Sequence, residues 1–400
     1  MKNPALNRNV ALLMVCQLVG ALGSIVLVTL GGIVGGELAD NPALATLPLS
    51  VMVVCVALTT VPAAMIMRRI GRRYGFMLSA VVGVTGVLLV ALALSVRSFA
   101  LLCAGTALYG FHMAFVQQYR FAAVESVAPE YASRAISLVL MGAIGGAVLG
   151  PILIARGRDA VGETPYVGTM FLLAAALAMV VIAVGFVREP GVAAPTRTTV
   201  PGRALREIAS QPAFGIAVLC AGVGYGVMTF VMTATPLSMH VHDGFTIEQT
   251  AGVVRSHVIA MYAPSLFSGY LIERFGVRRM MNLGALLLVT TVAVGFAGHE
   301  LLHYQFALIA LGIGWNFLYV GGTTLLTRTY APSERFKSQA LNDFVVFTMS
   351  ATASLLSGTV MGLFGWTALL CVALAPLLLV LGALFYLRAH KEFAHPRTVA

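Results

Sequence analysis

A 400-residue chain that is 59% hydrophobic and only 10% charged lacks the composition of a soluble domain, where about a quarter of residues are charged. The net charge of +10 does not read as nucleic-acid binding, because no basic run with interleaved aromatics lies in a polar segment. No GxSxG, HExxH or Walker loop occurs, so neither an enzyme nor an ATP-driven machine is indicated.

Apolar runs near 20 residues recur along the chain and predict membrane-spanning helices. The N-terminal MKNPALNRNV leads into an apolar stretch without a small-x-small cleavage site, so a retained first helix is expected rather than a signal peptide. Six spans are predicted at 9–34, 46–67, 74–95, 98–120, 133–156 and 166–187. The polar stretch 188–211, rich in Pro, Thr and Arg, reads as a linker. Six more spans follow at 212–236, 248–272, 279–298, 301–326, 338–363 and 365–387. The expected fold is thus an all-α polytopic membrane protein of twelve transmembrane helices. Two six-helix bundles, 1–187 and 212–387, flank the linker, and 388–400 forms a tail.

Basic residues alternate between loops. Lys2 and Arg8, Arg68 to Arg73, the linker arginines, Arg274 to Arg279, Arg328 to Lys337 and the tail residues Arg388, Lys391 and Arg397 fall on one side. Positively charged loops stay inside, which predicts cytoplasmic termini and linker.

The two halves repeat. RRIGRRYGF (68–76) echoes ERFGVRRMM (273–281), VAPEYASRA (127–135) echoes YAPSERFKSQA (330–340), and Gly110 matches Gly314. A same-direction repeat implies bundles related by an axis along the membrane normal. GYLIERFGVRR (269–279) and AMIMRRIGRR (64–73) resemble the G-x-L-A-D-R-x-G-R-K signature of the major facilitator superfamily. That resemblance covers nearly the whole chain. It implies a gate built from Arg69, Gly71 and Arg72 in the first half, and from Glu273, Arg274, Gly276 and Arg278 in the second. The first copy carries Arg68 where the signature has Asp, and so lacks its acidic partner there.

One pair of spans carries metal-ligand chemistry. Met228 and Met232 lie four apart in the seventh span, and His257 and Met261 four apart in the eighth. Residues i and i+4 share a helix face. Thioether and imidazole are soft ligands suited to Cu(I). At 1.5 Å per residue, Met228 lies ~12 Å below Pro236 and His257 ~14 Å below the start of its span, so both sit near the midplane. The outward loop Met239-His240-Val241-His242-Asp243 reads either as an ion collector or as a solvated loop. Methionine at helical spacing is also ordinary core filler.

These motifs resemble the CcoA-type copper importers within the superfamily. The resemblance implies copper as transported substrate, with no resident cofactor, supplied for cytochrome c oxidase assembly. Copper chaperones on either side of the membrane are implied partners, besides the lipid bilayer. It maps metal roles onto Met228, Met232, His257 and Met261, and extends them to Cys220, Cys55 and Cys371.

Rival features point to a small organic solute. GGAVLGP (145–151) is similar to part of an exporter motif, with close helix packing as the plain alternative. Aromatics in the fourth and tenth spans, among them Tyr109, Phe115, Trp315 and Tyr319, suit a planar solute, and relatives of the copper importers include transporters linked to riboflavin. Asp343 reads as a proton-coupling site or a helix-end cap, with the cap favoured by its place near the start of the eleventh span, and Arg255, two residues before His257, has no evident role.

Overall fold

The computed structural model describes residues 7–39, 47–162, 164–187 and 202–389. The linker residues 188–201 and tail residues 390–400 lie outside the described residues. Among those described, every regular element is helical. This is what a bilayer requires, since a helix satisfies its own backbone hydrogen bonds. The chain divides into two compact units, Met1–Thr199 and Val200–Ala400.

The first unit contains α1 (Arg8–Leu38), α2 (Leu47–Ile70), α3 (Arg72–Val96), α4 (Phe99–Val116), α5 (Tyr119–Val124), α6 (Ala132–Gly157) and α7 (Val167–Gly185). The predicted fourth span, 98–120, is in fact α4 continued after a turn at Gln117–Gln118 into α5. The GGAVLGP segment lies on α6 and packs against α1. A Cβ at Gly146 would meet Leu22 N at 2.6 Å and Leu18 O at 2.8 Å, so these glycines admit a neighbouring backbone. That contact is the close-packing alternative for the motif.

The second unit contains α8 (Leu205–Ala209), α9 (Pro212–Leu237), α10 (Ile247–Tyr262), α11 (Ser268–Phe275), α12 (Val277–Ala297), α13 (Leu301–Leu326) and α14 (Arg335–Ala389). The eighth span is broken. α10 ends at Tyr262, a 3-10 turn covers Ala263–Leu266, and α11 resumes at Ser268. Pro264 explains the break, because it lacks an amide hydrogen and crowds the preceding turn. The 55-residue α14 contains two spans joined at Gly365, whose φ of 75° is cheap only for glycine.

Ten described helical segments are long and apolar enough to cross a membrane. Joining α10 to α11 and dividing α14 at Gly365 brings the count to the twelve spans expected from sequence. The repeated signature glycines also have a common backbone role. Gly71 (φ 85°) and Gly276 (φ 86°) are the turns from which α3 and α12 start. The matched pair Gly110 and Gly314 do not share a role. Gly110 meets Met52 O on α2, whereas Gly314 meets Gly284 O on α12. In the second unit it is Gly312 that meets α10.

Candidate functional site

The densest chemistry of the second unit is an aromatic cluster. Trp315 sits near the middle of the 26-residue α13 and stacks on Tyr319, one turn on, with ring centres 5.1 Å apart and planes at 17°. Tyr225 of α9 presents its ring edge-on to Trp315 (5.5 Å), Tyr319 (5.4 Å) and Phe347 of α14 (5.5 Å). Tyr262, the last residue of α10, meets Trp315 edge-on at 5.7 Å. Offset and edge-to-face pairs of this kind contribute about 0.5–1.5 kcal/mol each beyond area burial. Trp315 is 1% exposed, and its Nε1–H has no hydrogen-bond partner. A buried indole N–H normally finds an acceptor, so this group is a candidate donor. The sequence reading noted Trp315 and Tyr319 but missed Tyr225, Tyr262 and Phe347. The readable signal was a tyrosine near the middle of the seventh and of the eighth span and a phenylalanine in the first half of the eleventh, among other aromatics there.

Polar groups beside the cluster fix α10 to α13. Asn316 Nδ2 donates to Met261 O at 2.8 Å and to Ser265 Oγ at 2.7 Å. His257 Nδ1 donates to Leu308 O at 2.8 Å, and its Nε2 has no partner. Gly312 makes this seam tight, for a Cβ there would lie 2.8 Å from His257 O and from Met261 N.

The Met228–Met232 and His257–Met261 pairs lie on helices that pack little on each other. α9 and α10 are consecutive in sequence, yet α9 packs mainly on α14 and α13, and α10 packs mainly on α13. Met228 is buried on α9 and Met232 half-buried there, while the His257 imidazole is committed to an α13 carbonyl. Met261 is buried on α10, with its backbone carbonyl held by Asn316. Cys220 is buried two turns before Met228 on α9. Cys371 is exposed on the second limb of α14, and Cys55 is half-buried on α2 of the other unit. Arg255 is exposed on α10, which answers how a cation could sit so near His257.

The segment after α9 is a five-residue π-helical turn, Ser238–His242. Met239 is fully buried, whereas His240 and His242 are exposed, so the three do not converge. His240 Nδ1 bonds Phe245 O at 2.7 Å. Asp243 Oδ2 instead accepts from Tyr304 Oη at 2.5 Å and lies 3.2 Å from His299 Nδ1. Among the described residues, no group of three or more His, Cys, Asp or Glu side chains is placed to hold a metal.

Asp343 is not a helix-end cap. α14 begins at Arg335, and Asp343 lies more than two turns inside it, fully buried, with Oδ1 accepting from Asn342 Nδ2 at 2.8 Å. The signature residues sit at helix ends. Arg72 opens α3 and forks onto Glu125, with Nε–Oε2 2.8 Å and Nη2–Oε1 2.5 Å. A carboxylate from the end of α5 thus meets Arg72 in the half where Arg68 replaces the acid of the signature. Arg69 is exposed at the end of α2. In the second unit, Glu273 and Arg274 end α11 and Arg278 lies in the first turn of α12, both arginines exposed.

A second ion pair was not foreseen. Glu334, 2% exposed, accepts from Arg203 N (2.8 Å), Nε (2.9 Å) and Nη2 (2.7 Å), and Arg203 Nη2 also reaches Thr329 O at 3.1 Å. The bonds to Glu334 push the Arg203 guanidinium pKa further up. This pair ties the end of the linker to the start of α14.

A helical bundle of this topology, with repeated signature loops and a buried aromatic cluster, defines a polytopic membrane transporter. The Major Facilitator Superfamily family model matches residues 13–263 and 244–399, and the chain belongs to that superfamily. It is a transporter working by alternating access, not an enzyme. Riboflavin transporter RfnT of Brucella anthropi is 39% identical over 364 residues, covering 90% of this chain and 91% of the relative. Among solved structures, the human organic anion transporter MFSD10 (TETRAN) superposes with a TM-score of 0.76 at 15% identity, over 96% of this chain and 100% of that one. The E. coli fucose:proton symporter FucP gives 0.71 at 15% identity, over 94% and 98%. At these identities the structural likenesses establish the fold alone. The copper-importer subtype finds no support in the sequence relatives, and an organic solute fits them better than copper does.

Proposed function

We propose that this chain carries riboflavin, or a planar solute closely like it, inward across a bacterial inner membrane. The observation that carries this reading is the 39% identity to a riboflavin transporter over nine-tenths of both chains. The aromatic cluster supports it independently. Stacking on aromatic side chains is worth about 1–3 kcal/mol per base-sized ring and suits a flat heteroaromatic. The 25 Lys and Arg residues against 15 Asp and Glu, biased to one set of loops, favour cytoplasmic termini. Copper and cytochrome c oxidase assembly are set aside as substrate and role. No separate reading of the Met228, Met232, His257 and Met261 set requires a metal, because methionine is ordinary packing and His257 Nδ1 is bonded to Leu308 O.

The test is uptake of tritiated riboflavin and of radioactive copper by cells lacking their own flavin importer, with the chain expressed or absent. Riboflavin accumulation that depends on the chain, with copper unchanged, is the expected result. Copper accumulation without riboflavin accumulation would return the chain to the metal reading.

A further inference from the structure

We infer that His257 is a specificity-determining residue, whose Nε2 accepts a hydrogen bond from an N–H or O–H group of the transported solute. This rests on the riboflavin reading above and assigns one contact within it.

The argument begins with the tautomer. Leu308 O is a carbonyl and only accepts, so His257 Nδ1 must carry the hydrogen that spans their 2.8 Å separation. In a neutral imidazole the other nitrogen is then an acceptor. That nitrogen, Nε2, is buried and has no partner, on a side chain that is 0% exposed. A buried polar atom without a partner is costly, and native structures leave few of them. Ionisable side chains inside a membrane helix are expensive as well. Packing alone does not explain the residue. A structural tie from α10 to the Leu308 carbonyl needs one donor, which Asn supplies in a smaller side chain.

The surroundings favour a ligand over a lattice of side chains. Gly312 brings the α10 and α13 backbones into contact at His257 and Met261, beside the Nδ1 bond to Leu308 O. Arg255, the cation nearest in sequence, is exposed on α10. Tyr262 follows His257 by five residues on α10, and Trp315 follows Leu308 by seven residues, about two turns, on α13; these two rings form the edge of the aromatic cluster. The ring is sealed in the present state. An alternating-access transporter opens and closes such groups in turn, so a sealed acceptor is compatible with a ligand arriving in another state.

Riboflavin offers two kinds of donor, the imide N–H of its ring and the hydroxyls of its ribityl chain. 3-Methylriboflavin lacks the first and lumiflavin lacks the second. Uptake of all three is measured below saturation for the parent, His257→Asn and His257→Gln, with radioactive copper in parallel and the melting temperature of each purified protein recorded. Asn keeps a donor at the δ position and loses the ε acceptor. Gln reaches the ε position with a carbonyl oxygen.

The parent is expected to prefer riboflavin over one analogue by about tenfold, the worth of one good hydrogen bond. His257→Asn should melt with the parent, lower riboflavin uptake about tenfold, and leave the disfavoured analogue unchanged. His257→Gln should retain the preference. The analogue that becomes indifferent to His257 identifies the donor. An equal fall for all three flavins in His257→Asn overturns the inference, as does no fall at all, or copper uptake that depends on His257 while riboflavin uptake does not. Should neither variant fold, equal uptake of the three flavins by the parent overturns it. No riboflavin uptake by the parent overturns the proposed function itself, whereas normal uptake with no dependence on His257 removes only this inference.

Discussion

Adding one methyl group at Gly312 should separate α10 from α13. An alanine Cβ there would lie 2.8 Å from His257 O and Met261 N, and 2.9 Å from Ala260 C. All three are backbone atoms, so no side chain can rotate away. Ordinary non-bonded contact begins near ~3.5 Å, which requires α10 to retreat by about 0.7 Å. That shift takes the 2.8 Å bonds His257–Leu308 and Asn316–Met261 to the limit at which a hydrogen bond is lost. Overpacking of this kind costs about 1–3 kcal/mol, and weakening the two bonds adds to it, so a loss of about 3 kcal/mol is expected. The measurement is the thermal midpoint of the purified protein in detergent, with Gly358→Ala as control, since nothing lies within 4 Å of a Cβ at Gly358. For a unit near 200 residues, 1 kcal/mol corresponds to about 2–4 °C, so Gly312→Ala should melt roughly 6–12 °C below the control. Coincident midpoints would refute the reasoning, for they would mean that the two backbones are not in contact.

Trp315→Ala removes a stacking surface and should raise the KM for riboflavin by roughly 5- to 150-fold. Trp315→Phe, which keeps a ring against Tyr319, should raise it far less, and equal effects would count against stacking. Glu334→Gln leaves Arg203 without its buried carboxylate. Breaking a buried pair costs about 3–5 kcal/mol, but Arg203 is 37% exposed and partly solvated, so about 2 kcal/mol is expected from the thermal midpoint. Met228→Leu conserves volume at a buried site and should cost under about 1.5 kcal/mol, with copper and riboflavin uptake both unchanged. A selective loss of copper uptake in that variant would restore the metal reading of α9.

Several of these outcomes turn on residues whose neighbours no sequence pattern names. His257 and Met228 share a plausible depth, and a short connection joins their helices, yet His257 bonds a carbonyl 51 positions along the chain. Asp343 stands near the start of an apolar run, but α14 starts at Arg335, and the carboxyl lies inside the packed unit. Pro264 was visible in the eighth span. Hydropathy passed over it because its neighbours are apolar, and helix continuity is a matter of hydrogen bonding that an apolar average does not register.

What the sequence determined by itself was the element inventory and its repetition. The tenth span was predicted at 301–326 and α13 is Leu301–Leu326; a break was predicted between 363 and 365 and the chain turns at Gly365. Such features are local, because burial in lipid and the cost of an unpaired backbone group act on each stretch of chain independently of its partners. The tertiary structure alone decided which faces meet. Lipid tails are as apolar as leucine, so an apolar helix face is not directed toward any particular neighbour by hydrophobicity. Its partner is chosen by where glycines such as Gly312 admit a backbone and where a donor such as His257 Nδ1 finds a carbonyl. That choice gathered Tyr225, Tyr262, Trp315, Tyr319 and Phe347 from four helices into one cluster, and it bound His257 to an α13 carbonyl.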